Sequence, residues 1–133
     1  PGLGFGKSVA QNYELLARTS ELVALGMPVL VGASRKSFLG AVSGRADPEQ
    51  RIIGSVVAAV AAYGGGARII RAHDVGAHRE ALLVAHAVLK GAGIPAKVLG
   101  DREANHNSLN HRLGEPGDAN TREVLAFVAA QLK

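Results

Sequence analysis

Two clusters of polar residues, each directly behind a short apolar run, hold the side chains of this 133-residue chain best suited to chemistry. Residues 28–31 (PVLV) lead into Gly32-Ala33-Ser34-Arg35-Lys36-Ser37, and residues 68–70 (RII) lead into Arg71-Ala72-His73-Asp74. A strand that delivers Ser, Arg and Lys at its carboxyl end, just before a helix, makes an anion site. The first turn of that helix offers unpaired N–H groups and the positive end of its dipole. Ser37 stands near the helix start and suits a carboxylate or phosphate. Lys36 supplies a point charge and Arg35 a bidentate fork. In the second cluster, Arg71 can lay its flat guanidinium on an aromatic ligand, and His73 can donate to a phosphate. Each cluster also has a bland reading. The first is then a solvated basic turn, and the second a helix-capping Asp74 beside an incidental His.

Other motifs are weaker. Gly2-Leu3-Gly4-Phe5-Gly6-Lys7-Ser8 suggests a nucleotide loop, but a G-x-x-x-x-G-K-[ST] loop needs Gly where Pro1 stands, and G-x-G-x-x-G needs Gly where Lys7 stands. Its glycines still permit close backbone approach to a ligand, with the Phe5 ring as a contact face. His106 and His111 lie five apart, without Cys and with few carboxylates nearby, so no metal site is expected there. No G-x-S-x-G nucleophile motif occurs.

The elements that must position these clusters can be read from periodicity and punctuation. An amphipathic helix is expected over about 9–25, ended by Gly26, and an apolar strand over 27–33, covered on both faces. After the 34–37 turn comes a short helical start over 38–42 and a surface loop over 43–46. Asp47-Pro48-Glu49-Gln50 then starts a helix, with Asp as cap and Gln as capping-box partner. That helix runs to about 63, with Val56, Val57, Ala59 and Val60 facing the sheet. A second buried strand is expected over 67–72, and a helix over about 77–90. Beyond it come a weaker apolar run over 94–99, a polar loop over 100–118, and a final helix capped at Asn120. Alternating helices and strands predict a parallel sheet with right-handed crossovers.

The bulk composition bounds the class. With 47% hydrophobic and 20% charged residues, the chain is an ordinary globular sequence of one small domain. No apolar run approaches the roughly 20 residues of a membrane span, and no signal peptide is visible. The absence of cysteine excludes disulfides and thiolate metal sites, and fits a cytoplasmic setting. The net charge of +4 is mild, there is no Lys/Arg run, and aromatics are 4%, which argues against a nucleic-acid partner. A start at Pro1, with a glycine loop that no strand precedes, suggests part of a longer protein.

Four segments together resemble the dihydropteroate synthase family, in its order and spacing. They are Pro-Gly-Leu-Gly-Phe-Gly-Lys at 1–7, Asn12-Tyr13-Glu14-Leu15-Leu16, Val29-Leu30-Val31-Gly32-Ala33-Ser34-Arg35-Lys36-Ser37, and Ile70-Arg71-Ala72-His73-Asp74-Val75. The resemblance covers about residues 1–90. It implies an α/β fold: the C-terminal portion of a (β/α)8 TIM barrel with parallel strands, over 1–93, plus a C-terminal extension of unknown role over 94–133. It implies a transferase of folate biosynthesis that joins p-aminobenzoate to 6-hydroxymethyl-7,8-dihydropterin pyrophosphate. By motif position, Lys36, Arg71 and His73 would be catalytic, and Phe5, Ser34, Arg35, Lys36, Ser37, Arg71 and His73 would bind substrate. Lys36 would contact the pterin, and Ser37 would hold the p-aminobenzoate carboxylate. Phe5 would pack on that ring. Arg71 would stack on the pterin and, with His73, bind pyrophosphate. Mg²⁺ is the family's cofactor, and copies would pair through the last helices.

The sequence departs from the family in three ways. The Asp that precedes the glycine motif falls just before Pro1, and the first five strands, with the Mg²⁺ loop, are not in the chain. Ala72 also stands where the family usually has Val. The isolated chain is therefore expected to be marginally stable, prone to associate and without turnover. The alternatives are a non-catalytic anion- or pterin-binding module and an inactive remnant.

Overall fold

The computed structural model describes residues 1–92. The expected run 94–99, the loop with His106 and His111, the helix capped at Asn120 and the rest of 94–133 lie outside the described residues. A turn-rich loop over 1–8 enters α1 (Val9–Ala17), followed by α2 (Thr19–Val23), β1 (Leu30–Val31) and α3 (Ser37–Ser43). A 3-10 turn (Pro48–Arg51) then leads into α4 (Ile52–Gly64), β2 (Ile69–Ile70) and α5 (Val75–Gly91).

The single helix expected over 9–25 is two helices. Ser8 starts the first with a capping box: its Oγ accepts from the Gln11 N–H, and Gln11 Oε1 accepts from the Ser8 N–H. The break falls at Arg18 (φ −98°, ψ 21°). There the buried Thr19 hydroxyl donates to the Leu16 carbonyl at 2.8 Å and reaches the Leu15 carbonyl at 3.3 Å. A hydroxyl on those carbonyls competes with the helix's own N–H groups.

The two strands are parallel, with Leu30 opposite Ile69 and Val31 opposite Ile70. Each is far shorter than expected. Backbone pairing continues only one step past the ladder, from the Arg68 N–H to the Val29 carbonyl and from the Arg71 N–H to the Val31 carbonyl. The expectation of a strand covered on both faces is also corrected. Val31 is buried, but Leu30 is 47% exposed and Met27 is exposed. The described helices cover one side of the ladder only.

Asp47 does cap, accepting from the Glu49 N–H at 3.0 Å, but it caps a 3-10 turn. The Gln50 N–H there goes to the Asp47 carbonyl, so the expected capping box does not form. In α4 the buried side is Ser55, Ala58, Ala59, Ala62 and Tyr63. Of the four residues expected on the sheet, Ala59 is buried, Val56 and Val60 are half-buried, and Val57 is exposed. A helix that is apolar nearly all round has no single stripe to read, and the small residues decide where neighbours approach. The core joins Leu3, Leu16, Val31, Ala33, Phe38, Leu39, Ala58, Ala62 and Ala67. Tyr13 packs edge-on to Phe38, with ring centroids 5.3 Å apart, and donates its hydroxyl to the Phe38 carbonyl. No helix among the described residues is long and apolar enough to cross a membrane.

Candidate functional site

Parallel pairing sends both strands out at the same end, so the loops 32–36 and 71–74 leave side by side. Gly32 and Arg71 face each other there: a Cβ on Gly32 would lie 3.7 Å from the Arg71 Cβ. Two residues further on, the buried Ser34 Oγ accepts from the His73 N–H at 3.1 Å and shares a hydrogen bond with His73 Nδ1 at 3.0 Å. Arg71 itself is exposed.

A third loop reaches the same rim. Lys36 Nζ lies 4.1 Å from the centroid of the exposed Phe5 ring, a cation–π contact. Gly4 makes the approach possible. Its φ of +78° suits glycine, and a Cβ there would meet the Lys36 Cδ at 3.0 Å. The loop is held in shape by Asn12, which is buried in α1. Asn12 Oδ1 accepts from the Gly4 N–H at 2.7 Å, and its Nδ2 donates to the Ser8 carbonyl at 2.8 Å. Lys7 turns back on the loop and donates to the carbonyls of Gly2 and Phe5. Ser37 is the exposed first residue of α3, behind the extended Lys36.

Arg35 stands differently from its neighbours. Its backbone is left-handed, with φ 59°. Its Nε and Nη2 donate to the two Asp74 carboxylate oxygens at 3.1 and 2.8 Å. The fork that the sequence offers to a ligand is thus taken by Asp74. The reading of Asp74 as a side-chain cap is corrected by the same contact: Asp74 sits at the N-cap of α5, yet its side chain makes no cap bond. The Arg35 hydrogen bond outweighs burial and holds the Asp74 carboxyl below its ordinary value of 3.8, aided by the charges of Arg35, His78 and His73.

The structure therefore brings Phe5, Ser34, Lys36, Arg71 and His73 to one edge, with Ser37 at the adjoining helix start and Arg35 turned to the protein. Sequence reasoning missed Asn12, Arg51 and Ser55 as supports. Only Ser55 carries a faint signal, a polar side chain among the apolar residues of α4. Among the described residues, no three His, Asp or Glu side chains gather to hold a metal ion.

A parallel α/β unit that collects cations and a ring at the carboxyl ends of its strands falls in the class whose ligands bind at that edge. The comparisons with known proteins narrow the class. The pterin binding enzyme family model matches residues 1–73. Dihydropteroate synthase of Synechocystis sp. is 46% identical over 88 residues, 66% of this chain and 30% of that protein. Dihydropteroate synthase of Haemophilus influenzae is 51% identical over 83 residues, 62% of this chain and 30% of that protein. Among solved structures, the Thermus thermophilus dihydropteroate synthase in complex with 4-aminobenzoate is 56% identical. It has a TM-score of 0.64 and covers 66% of this chain and 34% of its own. The Xanthomonas albilineans enzyme in complex with 7,8-dihydropteroate is 52% identical, with a TM-score of 0.66, covering 67% of this chain and 35% of its own. This chain belongs to the pterin binding enzyme family. It spans about 30% of the length of these curated relatives.

Proposed function

We propose that this chain forms the closing part of a dihydropteroate synthase. In this reading residues 1–93 supply the last strands and helices of a (β/α)8 barrel, and 94–133 are an extension. The enzyme joins p-aminobenzoate to 6-hydroxymethyl-7,8-dihydropterin pyrophosphate. The aromatic amine attacks the methylene carbon, the bond from that carbon to the pyrophosphate oxygen breaks, and the amine gives up a proton. The reaction separates an anionic leaving group from a cationic carbon, so fixed cations at the rim lower the barrier most. Arg71 lies flat on the pterin and, with His73, takes the departing pyrophosphate. Lys36 leaves Phe5 to contact the pterin beside the reacting carbon. Ser37, at the start of α3, receives the p-aminobenzoate carboxylate, and Phe5 packs on its ring. Ser34 orients His73.

The observation that carries this reading is the convergence of Phe5, Lys36 and the Ser34–His73 pair from three loops onto one edge. The Mg²⁺ that the family resemblance implies finds no set of ligands among the described residues, so its ligands would come from elsewhere in the full protein. The chain alone is inactive in this reading, and cytoplasmic. Copies pair through the last helices, where α5 exposes Val84 and Val88.

The test is a chimera. The segment of the Escherichia coli relative that this chain matches, at 47% identity over 89 residues, is replaced by the corresponding residues of this chain, and pterin-dependent condensation is measured. Condensation is expected, and Lys36→Ala or Arg71→Ala in the chimera should lower kcat/KM by at least about 100-fold. A chimera that folds, binds pterin and turns nothing over would favour the non-catalytic module. Full activity in both variants would defeat the site assignment.

A further inference from the structure

We infer that Arg35 and Asp74 are positioning residues, a latch that ties the loop bearing Lys36 and Ser37 to the loop bearing Arg71 and His73, and that Arg35 does not itself hold the anion. The inference rests on the reading of these two loops as a pyrophosphate-binding rim.

The polar groups of Arg35 already have partners in the protein. Its N–H donates to Ser55 Oγ at 2.8 Å, and its carbonyl accepts from Arg51 Nη1 at 2.9 Å. Its Nε and Nη2 lie on Asp74, and its Nη1 is 3.8 Å from Glu49 Oε1. A left-handed backbone is unfavourable for a residue with a Cβ, and persists where the surroundings fix it. Here they do. The Ser55 hydroxyl donates to the Arg51 carbonyl at 2.7 Å, and the Arg51 guanidinium also donates to the carbonyls of Arg45 and Ala46. Arg51 and Ser55 are buried at the head of α4. They bolt the Arg35 turn in place from beneath, and the guanidinium extends from that turn to the neighbouring loop.

Sequence position makes the contact a gauge. Arg35 directly precedes Lys36 and Ser37, and Asp74 directly follows His73. A two-point bond between 35 and 74 fixes the separation and angle of the two ligand-facing sets, and small misplacements of such groups weaken binding and catalysis steeply. An anion captured by Arg35 would instead have to displace a carboxylate and leave it beside its own charge. The pair is only about a quarter exposed, with side-chain exposures of 27% for Arg35 and 20% for Asp74, so water screens it little.

The sign of one substitution separates the two roles. Inorganic pyrophosphate is titrated calorimetrically into the full chain and into its Asp74→Asn, Asp74→Glu and Arg35→Lys variants. Asp74→Asn removes a negative charge from beside the anion. If Arg35 were a ligand contact, freeing its fork would tighten binding. The latch predicts the reverse: about tenfold weaker binding in Asp74→Asn and Arg35→Lys, with most of it recovered in Asp74→Glu. Tighter binding in Asp74→Asn overturns the inference. Amide hydrogen exchange supplies a ligand-free arm. In Asp74→Asn and in Arg35→Lys, exchange at the Arg35 and His73 amides should rise at least about tenfold relative to core amides. Unchanged exchange at both overturns the latch. If the wild-type chain binds no pyrophosphate, the reading of the rim fails, and the exchange result alone decides the latch.

Discussion

Asn12 shows how much a single buried amide can fix. It is almost wholly buried and meets three backbone groups of the glycine loop, at Gly4, Lys7 and Ser8. Asn12→Ala takes the side-chain partner from the Gly4 N–H and from the Lys7 and Ser8 carbonyls and empties a buried position, and should lower stability by about 2 kcal/mol in urea unfolding. Phe5 and Lys36 should lose their contact with it, visible as a chemical-shift change at Lys36 Nζ. Asp74 gives a pH prediction. Its carboxyl is held below its ordinary value by Arg35, so it stabilises the fold while ionised. That contribution is complete above the ordinary value of 3.8 and is lost as pH falls through the lower folded value. Asp74→Asn should therefore reduce stability by about 1–2 kcal/mol at pH 7. The gap between variant and wild type should close under more acid conditions, and a gap independent of pH would show that the charge is not the cause.

At the scale of elements, the short α3 and the head of α4 act as one support. Gly40 is the point where they touch. A Cβ there would lie 2.3 Å from the Arg45 carbonyl oxygen and 2.6 Å from Arg51 Nε. The carbonyl belongs to backbone and cannot swing aside. Gly40→Ala should destabilise the chain by about 2–4 kcal/mol, read as a fall in thermal midpoint, by driving Arg51 off the Arg35 turn. Gly64→Ala is the control, since nothing lies within 4 Å of a Cβ at that position. It should leave the midpoint unchanged or raise it slightly. The association of α4 with α5 has a polar clasp as well, where the Tyr63 hydroxyl and His86 Nδ1 lie 3.1 Å apart. Burial pushes the Tyr63 hydroxyl above its ordinary value.

For the whole molecule, the described residues present a two-stranded parallel ladder with side chains uncovered on one face. Leu30 lies there, 47% exposed. Parallel strands are normally covered on both faces, and open edges invite pairing with other chains. The full chain should therefore associate with rising concentration in sedimentation velocity. Leu30→Lys should suppress that association while shifting the urea midpoint little, because Leu30 makes a small contribution to the core. Association unchanged by Leu30→Lys would point to another surface, such as the exposed Val84 and Val88 of α5.

The sequence by itself determined the order of elements, the parallel α/β class and the two polar clusters. It could do so because these are local: an apolar run, a capping residue and a glycine stop each act within a few neighbours. The Asp47 cap and the placing of Lys36, Ser37, Arg71 and His73 behind strands belong to this kind. Tertiary structure alone decided what depends on distant partners. It ended the long first helix at Arg18 through the Thr19 hydroxyl, and it chose the alanine side of α4 over the valines because packing admits small residues. It turned the Arg35 fork from solvent to Asp74, 39 residues along the chain, since a charge's partner is set by which loop lies beside it in space.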